Sequence, residues 1–200
     1  GLLDRYLVAA AKISRLVVRD GQTRPSVTSY TLPYLSLGQD DRMSEALPFG
    51  SRGGTAISHY FPVDGEYVFK VRLDRTDTGI IRGLRWRNDM EVRLDGIRVG
   101  QFSIGGTPAF TAGEGLVGNG NYVEATSPLS TGDDRLEVRV PVKAGMREVI
   151  ATIVKPDNLA LEGLGPNAIP IWSREHLNKP DNPLIISSLL IGGPYNGRVP

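Results

Sequence analysis

Apolar residues recur at every second position along much of the chain. From Glu66 to Leu73, the residues Tyr67, Phe69, Val71 and Leu73 alternate with Glu66, Lys70 and Arg72. That period of two, carried by aromatic and β-branched residues, predicts a half-buried strand. Leu136, Val138, Val140 and Val142 alternate with Glu137 and Arg139 in the same way. Glu91–Leu94 and Ile97–Phe102 flank Asp95-Gly96, a two-residue type I′ hairpin signal. Pairing about that turn sets Leu94 opposite Ile97 and Val92 opposite Val99, all on one face. Val149–Val154 is apolar on both faces, as a central strand covered on both sides would be, and Leu184–Ile191 reads as the last strand. Only Leu2–Ile13 carries helical spacing: Leu3, Leu7 and Ala10 fall at i, i+4 and i+7, widened by Leu2, Tyr6 and Ile13. Asp4 near its start and Lys12 near its end suit the helix dipole. Six or more strands joined by hairpins and loops, with one N-terminal helix, predict an all-β antiparallel sandwich.

Composition sharpens this picture at the connections. The chain holds 24 glycines and 14 prolines in 200 residues, well above the roughly 12% of average usage. Two segments, Gly105–Asp134 and Pro156–Pro183, fit no strand, and loops of about 30 residues are usually functional or mobile. The organisation reads as a helix or linker from a preceding domain at 1–20, a sandwich at 21–196, and a tail at 197–200. A start at Gly1 and a polar end suggest a piece of something longer. A net charge of +1 offers no bulk attraction for nucleic acid or an anionic membrane. No apolar run reaches the ~18 residues of a membrane span. With no cysteine, disulfides, thiolate zinc sites, cysteine nucleophiles and covalently attached haem are excluded within this segment.

Catalytic signals are weak. His59 and His176 are the only histidines and stand in no metal-ligand spacing, and there is no Gly-x-Ser-x-Gly elbow. His59, beside Tyr60 and Phe61 in a predicted strand, reads as a hydrogen-bonded structural histidine. Gly113–Gly118 matches Gly-x-Gly-x-x-Gly, but Gly-Asn-Gly-Asn follows where a helix would have to start. Carboxylates pair at Asp40-Asp41 and Asp133-Asp134, and Asp157 and Asp181 bound the second long loop. Such loops supply the oxygen ligands that calcium takes, although Asp and Asn are also plain turn formers. Aromatic residues remain: Phe110, Tyr122 and Trp172 in the long loops, and Trp86 between two arginines. A sugar ring stacks its C–H face on such side chains while its hydroxyls take polar neighbours. The alternative is that each plugs its loop into the body of the domain.

Several runs resemble one family. Leu2–Asp20, Leu47-Pro-Phe-Gly-Ser-Arg-Gly-Gly54, His59–Tyr67, Arg139-Val-Pro-Val-Lys-Ala-Gly145 and Ile191-Gly-Gly-Pro-Tyr-Asn196 resemble the central segment of large planctomycete-type c-type cytochrome proteins of unknown function. In that family a haem domain lies upstream and helical domains lie downstream. The central portion is similar to calcium-dependent xylan-binding carbohydrate-binding modules, which are jelly rolls. The strand order of Gly65–Arg72, Val92–Ile97, Ile150–Asn158 and Ile185–Gly192 follows theirs. The resemblance implies a non-catalytic module that binds plant- or algal-type polysaccharide, in an exported protein, periplasmic or extracellular. The loop aromatics Trp172, Tyr122, Trp86 and Phe110 are the candidates for stacking, and the resemblance implies calcium held by Asp157, Asn158 and Asp181. Neighbouring domains of the full-length protein are the other expected partners. A structural spacer that docks those domains and binds no ligand is the alternative.

Overall fold

The computed structural model describes residue 6 and residues 24–32, 39, 42–76, 78–84, 86–106, 128–155 and 183–198. The strands are β1 (Ser26–Thr31), β2 (Ser51–Phe61), β3 (Asp64–Leu73), β4 (Asn88–Leu94), β5 (Ile97–Ile104), β6 (Glu137–Val142), β7 (Gly145–Val154) and β8 (Ile186–Arg198). They form two four-stranded sheets, ordered β1-β8-β3-β6 and β2-β7-β4-β5. Every neighbouring pair is antiparallel. The β4–β5 hairpin stays within one sheet, and each other connection crosses to the opposite sheet. A four-residue helix, α1 (Pro128–Thr131), precedes β6. The expected N-terminal helix lies outside the described residues except for Tyr6, which is helical and exposed.

The core forms where the alternating faces meet. Tyr67, Phe69, Val71 and Leu73 of β3 are buried, as are Leu136, Val140 and Val142 around β6, while Val138 packs half-buried beside them. From the other sheet come Met90 and Val92 of β4 and Val149, Ala151 and Ile153 of β7. Ile150 and Thr152, on the opposite face of β7, are also out of water, as expected for a central strand covered on both sides.

The hairpin turns as predicted, with φ of 49° at Asp95 and 79° at Gly96. Its register corrects the expectation beyond the first pair. Leu94 faces Ile97, yet Ile97 is exposed, and a bulge then pairs Arg93 with Arg98 and Val92 with Gly100 rather than Val99. The bulge brings Gly100 under β6, where a Cβ would lie 3.1 Å from Val138 Cγ1. β8 also departs from expectation. It continues past Ile191 to Arg198, two residues beyond the predicted sandwich boundary, skipping register against β3 between Glu66 and Val68. Gly193 allows this passage, since a Cβ there would stand 2.6 Å from the Tyr67 ring.

Candidate functional site

Antiparallel pairing gathers one set of strand ends together. β3, β5 and β7 finish, and β4, β6 and β8 begin, at the same end of the sandwich. The described residues that border both predicted long loops lie here too: Gly106 and Pro128 for the first, Lys155 and Pro183 for the second. Where β3 ends beside α1 and the start of β8 opens a shallow polar cleft of about 630 Å³, lined by Arg72, Arg75, Ser130, Thr131, Asp134 and Ser187, with Leu73 and Asp74 completing its wall.

The cleft is built on Asp133. Its side chain has no exposed surface, and it follows α1, which Leu129 anchors by burying its side chain and accepting the Ile81 amide through its carbonyl. Asp133 Oδ1 accepts from Arg72 Nη1 at 3.1 Å and Arg75 Nη2 at 2.6 Å, and Oδ2 accepts the Leu73 amide at 3.0 Å. One carboxylate therefore closes the end of β3 and aims two guanidinium groups. Arg72 Nη1 also donates to Asp134 Oδ1 at 2.8 Å. That hydrogen bond holds the Asp134 carboxyl below the usual carboxylate range and raises Arg72. Arg75 Nη1 donates to the carbonyls of Ser130 and, at 3.3 Å, Gly79. Ser187 Oγ donates to the Arg72 carbonyl at 3.1 Å. Below the cleft, the buried pair Asp74–Arg82 stands at 3.1 Å, and Arg82 Nη2 donates to the Arg75 carbonyl. The cleft thus offers fixed cationic donors, hydroxyls and an ionised acceptor, a set suited to a ligand rich in hydroxyls.

The residues expected from the sequence divide into two groups. Trp86 is exposed at the cleft end, two residues before β4, and its carbonyl accepts from Asn88 Nδ2 at 2.7 Å. Phe110, Tyr122, Trp172, Asp157, Asn158 and Asp181 lie outside the described residues. Of the carboxylate pairs, Asp133 and Asp134 are both committed to arginine, and among the described residues no three acidic or histidine side chains converge as a cation site. His59 is hydrogen-bonded as expected, with Nδ1 2.7 Å from Tyr30 Oη, and its ring is edge-on to Phe61.

Sequence reasoning missed Arg72, Arg75, Ser130, Thr131 and Ser187. Their signal was faint: an arginine on the polar face of a strand, and serines beside loops. Phe49, exposed before β2 with Arg42 over its ring at 4.4 Å, was missed as well. No protein-family model matches the chain, and no curated protein matches it in sequence.

Proposed function

We propose that this domain is a non-catalytic carbohydrate-binding module that takes polysaccharide at the cleft end of its sandwich. The observation that carries the reading is the composition of the cleft: Arg72 and Arg75, held in place by a buried carboxylate, with Asp134 and three hydroxyl residues beside them. Guanidinium donors and a carboxylate acceptor together match vicinal sugar hydroxyls, and exposed Trp86 at the same end offers a stacking face. The strand orders β1-β8-β3-β6 and β2-β7-β4-β5 support reading the sandwich as a jelly roll, the architecture of the modules it resembles. The same resemblance favours a place in an exported multidomain cytochrome protein and a calcium ion at Asp157, Asn158 and Asp181. Among the described residues, the cleft carboxylates do not suit the acid of a glycosidase. A glycosidase acid needs a raised pKa, whereas Asp134 is held low and Asp133 is spent on two arginines and an amide.

One observation favours the spacer reading. Tyr60 and Met146, paired across β2 and β7 at the far end, are both exposed, an apolar pair that a neighbouring domain would cover. A pull-down on insoluble xylan and cellulose separates the two. Wild type should be retained, while Trp86→Ala and Arg75→Gln should each lose most retention, with melting temperature recorded alongside. Chelator should weaken retention if calcium contributes. A wild-type domain that stays in the supernatant on both matrices would decide for the spacer.

A further inference from the structure

The Gly192-Gly-Pro-Tyr-Asn196 run plays no part in the cleft, yet it builds a second polar cluster near the other end of β8. Tyr195 lies opposite Glu66 on the outer face of the first sheet. The Arg139 guanidinium carbon stands 4.8 Å from the Tyr195 ring centroid. Arg139 Nη2 and Asn196 Nδ2 each donate to Glu66 Oε2 at 2.9 Å. The Tyr195 hydroxyl lies 3.5 Å from the position of a Cβ on Gly192, so the side chain reaches back across that glycine. Glu66 and Arg139 remain 42% and 51% exposed, and an ion pair so exposed adds little to stability.

On the outer face of the first sheet Val68, Lys70 and Leu190 keep contact with water. The open face also leads to the cleft. Outward positions on β3 run from Glu66 through Lys70 to Arg72, which itself lines the cleft. Six residues at ~3.3 Å each span about 20 Å, so a ligand touching both ends is an extended chain rather than a single ring.

We propose that Tyr195 and Arg139, held by Glu66 and Asn196, form a second subsite for the polysaccharide chain whose first sugars occupy the cleft. The inference rests on the carbohydrate-binding reading above. Glu66 and Arg139 balance in charge, so the subsite addresses sugar hydroxyls and a ring face of a neutral chain, and xylan is the probe. Affinity should therefore depend on chain length. Calorimetric titration of the domain with xylobiose and xylohexaose reads this directly. Wild type should bind the hexaose more tightly. Tyr195→Ala and Arg139→Gln should each lower hexaose affinity by about tenfold and leave xylobiose unchanged, and Tyr195→Phe should retain hexaose binding. Equal losses on both lengths, or no loss on either, would overturn the subsite while leaving the cleft reading intact. A wild type that binds neither length would overturn the cleft reading and this inference together.

Discussion

Replacing Asp133 with Ala removes a carboxylate that is fully buried and accepts three hydrogen bonds. The Leu73 amide loses its acceptor, and a buried unpaired N–H costs about 1–3 kcal/mol. Arg72 and Arg75 lose their shared partner as well, but their side chains are 35% and 32% exposed. Water takes over part of what they lose, leaving about 1 kcal/mol for the two together. The sum is about 2–4 kcal/mol, or a fall of roughly 6–12 °C in melting temperature for a domain of this size. Urea unfolding followed by tryptophan fluorescence should show a lower midpoint with an unchanged slope. Asp134→Ala is the control: that carboxylate is more than half exposed and binds only at the rim, so the midpoint should barely move. A loss below about 1 kcal/mol for Asp133→Ala would refute the account, as would equal losses for the two variants.

The core and the Tyr30–His59 contact give two more. Phe69 has no exposed surface and meets Phe61 at 6.2 Å between centroids. Phe69→Ala should cost about 3–5 kcal/mol in chemical unfolding, and a cost under ~2 would mean that the site collapses around the loss. Partial burial lowers the His59 pKa, and in the Nε2-protonated neutral ring Nδ1 accepts the Tyr30 hydroxyl. The folded state then binds fewer protons than the unfolded one. The His59 contribution is present in full above the unfolded value of 6.5 and is lost as pH falls from there through the lowered folded value. The stability difference between wild type and His59→Gln should shrink over that window, and a difference flat from pH 8 to 5 would remove His59 from the balance.

What the sequence revealed of the fold follows the range over which each signal acts. β3 and β6 were legible because alternation is a property of a few adjacent residues, and both strands bury one face against the same core. The Asp95-Gly96 turn was legible because the tolerance of positive φ at both positions is carried by those two residue types. The bulge beside it was not, because it is set by Gly100 meeting Val138 across the sandwich, 38 positions away in sequence. β1 reads Ser-Val-Thr-Ser-Tyr-Thr and exposes nearly every side chain. It carries no amphipathic pattern, and its place comes from backbone pairing with β8.

The cleft obeys the same logic at longer range. Arg72 presents itself in sequence as the solvent face of β3, and Asp133 as half of an acidic turn, separated by 61 positions. Nothing local distinguishes either from an ordinary surface charge. Their meaning appears only when β3 ends beside the start of β6, so that the chain after α1 drops one carboxylate behind two guanidinium groups and onto the Leu73 amide. Burial then separates the adjacent aspartates into two roles. Asp133 gives up its solvent to fix the arginines, and Asp134 keeps its solvent and stays ionised at the rim.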